Sequence, residues 1–158
     1  MDEIEAKILG RQLMEVADAA YLTTIDVDGF PHTRAMFNLR NRDHFPRLNG
    51  LFAKHRDDFL VLFSTNTSST KVEQIGDNPA SCVYYSTPMQ YRGLMLAGEM
   101  EVVADTGLKN ELWHEGWERY YPRGREDPDY AVLSIYPRRG EYYHRLDRCS
   151  FRLEGRRE

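Results

Sequence analysis

Hydrophobic residues follow two different periods along this chain. Near the N-terminus, Leu9, Leu13, Val16 and Ala20 recur at helical spacing among charged residues, which predicts an amphipathic helix over residues 2–20. Beyond this helix, apolar and polar positions mostly alternate at every second residue, as they do in half-buried strands. The chain is therefore predicted to begin with a helix and to continue mainly as β-structure.

Seven segments have the β-branched and aromatic composition of strands. The first two flank Asp28-Gly29, a dipeptide that favours a type I′ hairpin because both central residues of that turn need a positive φ. Residues 40–58 are charged and are predicted to form a loop or a short helical excursion. The predicted strands span residues 21–27, 31–39, 58–65, 80–87, 92–105, 130–137 and 140–146, and two further helices span residues 70–79 and 106–122.

Several connections between the predicted strands are short, which indicates antiparallel neighbours, and many such strands in one domain indicate a barrel or a sandwich. With 158 residues, the chain is long enough for one domain with a hydrophobic core and too short for two. We therefore predict a single, mainly β (α+β) domain over residues 1–158, with helices flanking the strands.

Composition and charge exclude several classes of function. A net charge of −4 argues against a general affinity for nucleic acid or an anionic membrane, because no global positive field attracts phosphates. The histidines and the two cysteines show no metal-ligand spacing, so no metal site is predicted. The acidic N-terminus lacks an apolar signal core, and no apolar run approaches transmembrane length, which predicts a cytoplasmic protein.

The segment STNTSST, residues 64–70, concentrates hydroxyl side chains at the end of a predicted strand, and Lys71 follows it. Thr70 and Glu73 fit a capping box, which predicts Thr70 as the N-cap of the next helix. The positive end of that helix, the hydroxyl donors and the lysine together suit an oxyanion, most simply a phosphate monoester. Caps and turns commonly use the same side chains, so the segment by itself leaves both interpretations open.

Arg34 is the second candidate for binding an anion. The alternation along residues 31–39 places it on one strand face with His32, Met36 and Asn38. A strand holds an arginine more rigidly than a loop does, and arginine binds phosphate through two parallel hydrogen bonds. An arginine on a strand also often lies on the solvated face of its sheet. The spacing alone does not show whether Arg34 and Lys71 meet.

The same segments resemble the pyridoxamine 5′-phosphate oxidase-related flavoproteins, in particular their general stress protein 26-like branch. The resemblance rests on an ordered series of motifs: Arg-x-Met on the second hairpin strand, Thr-Lys-Val opening a helix, Asn-Pro before the next strand, and a glycine-containing long strand followed by a Trp-bearing helix. It extends over residues 10–145. It implies an antiparallel split β-barrel of six to seven strands, a homodimer, and FMN bound at the dimer interface.

The resemblance also implies which residues contact FMN. Arg34 and Lys71 would hold the phosphate, while the backbone around the Arg-x-Met motif and the end of the third strand would border the flavin ring. The tryptophans of the aromatic-rich helix, Trp113 and Trp117, and the neighbouring tyrosines are candidates for covering the ring from the partner subunit. The implied FMN-binding residues are Arg34, Ala35, Met36, Ser64, Thr65, Thr70 and Lys71.

The implied activity is that of an FMN-dependent oxidoreductase with a small, unknown substrate, in which the flavin carries the chemistry and no catalytic side chain can be named. The biosynthetic oxidases also have an Arg-x-His motif near the C-terminus. Here His144 precedes Arg145, so pyridoxamine phosphate oxidase activity itself is not expected. The alternative is a non-enzymatic protein that binds or senses a flavin, haem or deazaflavin, with His32 as the candidate axial ligand of a haem. A barrel without a cofactor would leave Arg34 and Lys71 unexplained.

Overall fold

In a computed structural model, which describes residues 1–156, strands account for most of the regular structure. The strands are β1 (Ala19–Ile25), β2 (Pro31–Phe37), β3 (Val61–Asn66), β4 (Ala80–Thr87), β5 (Arg92–Val102), β6 (Tyr130–Ile135), β7 (Arg139–His144) and β8 (Asp147–Arg152). The helices are α1 (Glu3–Val16), α2 (Asn49–Ala53), α3 (Thr70–Asp77) and α4 (Thr106–Leu112). None of the helices in this part of the chain is long and apolar enough to cross a membrane.

The strands form one antiparallel sheet that curls into a nearly closed barrel, with the order β2-β1-β4-β5-β6-β3 along its main path. The long β5 allows the curl, because its first half pairs with β7 from Arg92 to Ala97 and its end pairs with β6 from Met100 to Val102. The strand β8 extends the sheet beyond β7 and was missed by the sequence pattern, since three of its six residues are charged and four are exposed. The predicted fold class, a mainly antiparallel split β-barrel with flanking helices, is confirmed.

The strands β2 and β3 stand at the two ends of this path. The curl brings them into contact, but no hydrogen-bonded ladder joins them within residues 1–156. Their approach forms the split of the barrel. Helix α3 follows β3 directly and packs against β1, so it lies beside the split. Edge strands keep unpaired backbone N–H and C=O groups. The split therefore combines backbone polar groups, the start of a helix and side chains from several elements.

Two hydrophobic clusters lie on opposite faces of the paired strands β3 and β6. Val61 and Phe63 point into the cluster that α1 covers, whereas Leu62 points into a second cluster with residues of α2 and α4. Because both faces are buried there, residues 61–63 of β3 and 130–133 of β6 are continuous apolar runs in the sequence instead of alternating ones. The second cluster also contains Trp113 and Trp117, from the segment that follows α4.

Local structure differs from the prediction at the first hairpin and at two helix ends. The hairpin is not of type I′: only Gly29 has a positive φ, 84°, and its N–H bonds to the carbonyl of Asp26. The Asp26 carboxylate also accepts a hydrogen bond from the backbone N–H of Phe30, so a three-residue loop with one left-handed glycine replaces the tighter turn. Helix α1 ends at Val16 and α4 ends at Leu112, earlier than their patterns predicted.

Candidate functional site

A groove with a volume of about 420 Å³ opens at the split of the barrel. One side comes from β2 and the start of β1, the other side comes from the end of β3 and the start of α3, and two tyrosines beyond α4 complete the wall. The lining residues are Asp18, Ala19, Ala35, Met36, Phe37, Ser64, Thr65, Asn66, Lys71, Tyr120 and Tyr121. The structure thus brings together five of the predicted site residues, namely Ala35, Met36, Ser64, Thr65 and Lys71.

Arg34 is not among the residues that line this groove; it precedes Ala35 on β2, and side chains and carbonyls of β1, β2 and α3 hold its guanidinium. Nη1 donates to Thr24 Oγ1 at 2.7 Å, to the His32 carbonyl at 2.9 Å and to the Leu22 carbonyl at 3.3 Å. Nη2 donates to Gln74 Oε1 at 3.3 Å. All these acceptors are neutral, and burial lowers the pKa of the guanidinium. Arginine nevertheless stays protonated in proteins, so these neutral acceptors leave the positive charge of Arg34 unbalanced. Its Nε–H has no acceptor among the described residues.

Lys71, the second residue of α3, lines the groove and donates from Nζ to Thr65 Oγ1 at 3.1 Å. The pKa of Lys71 is lowered, first by burial and then by the positive charge of Arg34. The two cations are thus close enough to repel each other. Within residues 1–156 neither forms an ion pair with a carboxylate. Two uncompensated positive charges beside one groove favour the binding of an anion.

The hydroxyl-rich segment between β3 and α3 has two separate roles. Part of it anchors the loop to the carboxylate of Asp129, which accepts three hydrogen bonds. The donors are Asn66 Nδ2 at 2.5 Å, Thr67 Oγ1 at 2.8 Å and the backbone N–H of Ser68 at 2.9 Å. These hydrogen bonds hold the pKa of Asp129 well below its usual range. Thr65 instead faces the groove and contacts the lysine. The segment therefore both fixes the loop and lines the site.

The N-cap of α3 is Ser69 and not Thr70, so the predicted capping box is wrong. Thr70 is the first helical residue, is exposed and lies outside the groove lining. The Ser69 hydroxyl makes no capping hydrogen bond and lies 3.5 Å from Thr65 Oγ1. The first N–H groups of α3 consequently have no side-chain cap, and they add a positive dipole end close to Lys71.

Aromatic side chains form one wall of the groove. Tyr121 is buried, Tyr120 is exposed, and the ring centroids of Phe37 and Tyr120 lie 6.3 Å apart. Burial raises the pKa of Tyr121 to about 12, so its hydroxyl stays neutral at physiological pH. Trp113 and Trp117, which the resemblance suggested as covers for a bound ring, are instead buried in the second core cluster. Tyr120 and Tyr121 line the same groove as Lys71, a placement that the helical spacing did not predict.

The family described as "Pyridoxamine 5'-phosphate oxidase like" matches residues 9–154, nearly the whole chain. The chain belongs to this family. A comparison with curated proteins found no match.

Solved structures assign this pyridoxamine 5′-phosphate oxidase-like protein to the general stress protein 26-like branch, as the resemblance predicted. A protein from Clostridium acetobutylicum related to general stress protein 26 is 32% identical, with 98% of each chain covered and a TM-score of 0.76. General stress protein 26 from Bacillus anthracis is 22% identical, over 93% of this chain and 98% of its own, with a TM-score of 0.70.

A heme binding protein from Mycobacterium smegmatis has a similar fold, with 13% identity, 93% of this chain and 57% of that chain covered, and a TM-score of 0.66. In the present family member, His32 lies outside the groove lining, and its Nε2 is 2.9 Å from Asp26 Oδ2. His144 and Arg145 are exposed at the turn between β7 and β8. No histidine among the described residues lines the groove, and no three metal-binding side chains cluster in them.

Proposed function

We propose that this protein binds FMN in the groove at the barrel split, with Arg34 and Lys71 holding the phosphate. The observation that carries the proposal is this pair of cations. Each is held by neutral acceptors, the charge of one lowers the pKa of the other, and no carboxylate of residues 1–156 pairs with either. A phosphate dianion bound by both would remove a repulsion that the free protein retains. Charged hydrogen bonds of this kind contribute about 1.5–3 kcal/mol each.

The rest of the groove fits the other parts of such a ligand. Its volume of about 420 Å³ falls within the range of about 300–1,000 Å³ that is typical of small-molecule sites. Phe37 and Tyr120 offer apolar surface for a planar ring. The backbone of Ala35 and Met36 lies on an edge strand, whose unpaired groups can bond to the polar edge of a flavin. These features support a cationic end for phosphate and a flat end for the ring.

A second copy of this chain is proposed to cover the open side of the groove. Three aromatic side chains on or next to the groove are well exposed: Phe37 at 53%, Tyr120 at 46% and Tyr21 at 41%. Tyr21 lies opposite Ala35 in the β1–β2 pair, so its side chain extends the same sheet face. Aromatic residues are enriched in protein interfaces. Light scattering should therefore give twice the chain mass of 18.5 kDa, and Tyr21→Glu should shift the protein towards the monomer; a monomeric parent would refute the dimer.

An oxidoreductase acting on a small molecule is the activity that this site supports best. A bound flavin would supply hydride transfer. The chain itself would bind the phosphate, support the ring and limit the access of water, while Tyr121, with a pKa of about 12, would remain a neutral hydrogen-bonding group. We assign no catalytic side chain. A cytoplasmic location stays a prediction from the sequence.

A comparison of two flavins tests the binding proposal. The purified ligand-free protein is titrated with FMN and with riboflavin, and the quenching of flavin fluorescence is measured. Because riboflavin lacks the phosphate, we expect FMN to bind at least about 100-fold more tightly. Equal affinities for the two flavins would refute the assignment of Arg34 and Lys71 to the phosphate.

The molecule that co-purifies with the protein tests the identity of the cofactor. Its visible spectrum and its mass should be those of FMN. A haem spectrum would refute FMN and favour the haem-binding alternative. Reduction of the bound flavin by NADH or NADPH, followed by turnover with an electron acceptor, would distinguish an enzyme from a protein that only binds flavin.

A further inference from the structure

A buried polar link joins β1 to α3 next to the two cations. Thr24 of β1 is fully buried, and Gln74 of α3 is 7% exposed. The Thr24 hydroxyl donates to Gln74 Oε1 at 2.5 Å and accepts from Arg34 Nη1 at 2.7 Å. Gln74 Oε1 also accepts from Arg34 Nη2 at 3.3 Å. The three side chains thus close a ring of hydrogen bonds, which fixes the orientation of the guanidinium.

The charge of residue 74 matters because glutamine and glutamate have nearly the same shape. A carboxylate at this position would form an ion pair with Arg34, and the two charges would cancel beside the groove. Buried charged groups are usually paired in this way. Gln74 instead supplies a neutral oxygen in the same place. It therefore orients the guanidinium and leaves its charge available to a ligand.

Helix α3 connects this link to the groove. Lys71 and Gln74 are three positions apart, so they lie on neighbouring turns of one helix face. The first of them lines the groove, and the second holds the guanidinium of Arg34, which reaches the helix from β2. A shift of α3 or a change of charge at position 74 would therefore alter both cations of the site together.

We infer that Gln74 determines specificity: by orienting Arg34 through a neutral oxygen, it makes the groove select a ligand with a phosphate monoester over the same ligand without one. This inference rests on the proposed function, because it concerns the phosphate end of the same groove. Gln74 is a positioning residue that acts through Arg34. Thr24 supports the arrangement by aligning the amide oxygen.

The variant Gln74→Glu tests the inference in the full chain, with FMN and riboflavin as the probes. We expect the dissociation constant of FMN to rise about 10–100-fold, because the charge of Arg34 is neutralised, and that of riboflavin to change less than about twofold. Gln90→Glu is the matched control, since it adds the same charge on an exposed turn between β4 and β5. Added salt should weaken FMN binding in the parent more than in Gln74→Glu, because one of the two attractive charges is lost.

A second variant keeps the test decisive if Gln74→Glu does not fold. Thr24→Val preserves the shape of a buried side chain and removes both hydrogen bonds of its hydroxyl. It should weaken FMN about 3–10-fold and leave riboflavin unchanged. Thermal unfolding of each ligand-free variant shows how far the fold itself is affected. A purely structural role would lower the thermal midpoint, whereas the ratio of the FMN and riboflavin affinities would stay as in the parent.

The possible outcomes separate this inference from the proposed function. A parent protein that binds FMN and riboflavin equally would refute the proposed function, and the inference with it. A parent that prefers FMN, together with a Gln74→Glu variant that keeps the full preference, would overturn the inference alone. Equal losses for both flavins in the variants at positions 74 and 24 would also overturn it, because the link would then only support the fold.

Discussion

Replacing Lys71 by alanine separates phosphate binding from support of the fold. In the free protein, the Lys71 ammonium donates one hydrogen bond, to Thr65 Oγ1, and its pKa is lowered by burial and by the charge of Arg34. A lowered lysine pKa means that the fold disfavours the charged form. We therefore expect Lys71→Ala to leave the thermal midpoint of the ligand-free protein unchanged or slightly raised, while FMN binding becomes weaker.

The size of the loss follows from one charged hydrogen bond, about 1.5–3 kcal/mol, and partial exposure of the ammonium favours the lower half of that range. This corresponds to roughly 10–40-fold in affinity. With FMN at 100 times the dissociation constant of the parent, the ligand stabilises the parent by about 2.7 kcal/mol, and a 30-fold weaker variant by about 0.9 kcal/mol. For a domain of this size, the thermal shift caused by FMN should fall by roughly 4–7 °C.

Fluorescence titrations with FMN and riboflavin give the two affinities directly. Lys54→Ala is the matched control, because Lys54 is exposed and lies outside the groove. Riboflavin should bind Lys71→Ala and the parent equally, and Arg34→Ala should show the same selective loss of FMN. The reasoning is refuted if riboflavin loses as much affinity as FMN. A ligand-free Lys71→Ala protein that unfolds several degrees below the parent would refute it as well.

Three other substitutions test separate parts of the structure. Asp129→Ala should lower the thermal midpoint at neutral pH. Because hydrogen bonds lower the pKa of Asp129 in the folded protein, the stability that its carboxylate contributes is lost as the pH falls below about 4. The thermal midpoints of the parent and the variant should therefore converge in acid. Gly93→Ala should cost roughly 1–3 kcal/mol in denaturant unfolding, since the added methyl would overlap the Tyr84 hydroxyl and the Tyr143 ring. Tyr120→Ala should weaken FMN and riboflavin equally, by about 2–10-fold in titrations, as expected for a ring contact.

Each of these expectations has a contrary result. Midpoints of the parent and Asp129→Ala that stay apart in acid would show that the carboxylate is not the acid-sensitive group of the loop. If Gly93→Ala is as stable as the parent, the packing of Tyr84 and Tyr143 does not require a glycine at position 93. A Tyr120→Ala variant that loses FMN alone would place Tyr120 at the phosphate and not at the ring.

Sequence patterns predicted the elements that carry the groove. The alternation around Arg34 predicted a strand with Ala35 on the opposite face, and in the structure Arg34 is half-buried while Ala35 is exposed. The hydroxyl residues before Lys71 predicted to within one residue where β3 ends and α3 begins, although the N-cap is Ser69 and not Thr70. These predictions succeeded because the direction of side chains follows a local period in both strands and helices.

Tertiary contacts decided which of several chemically similar residues line the groove and which support the fold. In the sequence, Gln74 is an ordinary polar residue of a helix, and only the approach of β1 and β2 makes it the partner of Arg34. Trp113 and Tyr120 belong to one aromatic segment, but α4 ends at Leu112, and the following turns bury the tryptophan in the core and place the tyrosine at the groove. No residue type in that segment distinguishes the two roles.

The sequence by itself determined seven of the eight strands and three of the four α-helices of residues 1–156, the family, and the candidate cations at positions 34 and 71. The tertiary structure decided that β2 and β3, at the two ends of the curled sheet, meet and form a groove that Lys71 lines, with the charge of Arg34 close enough to lower the pKa of that lysine. The physical reason is range: hydrophobic periodicity acts over a few residues, whereas the closure of a barrel depends on the twist and register that accumulate across all its strands.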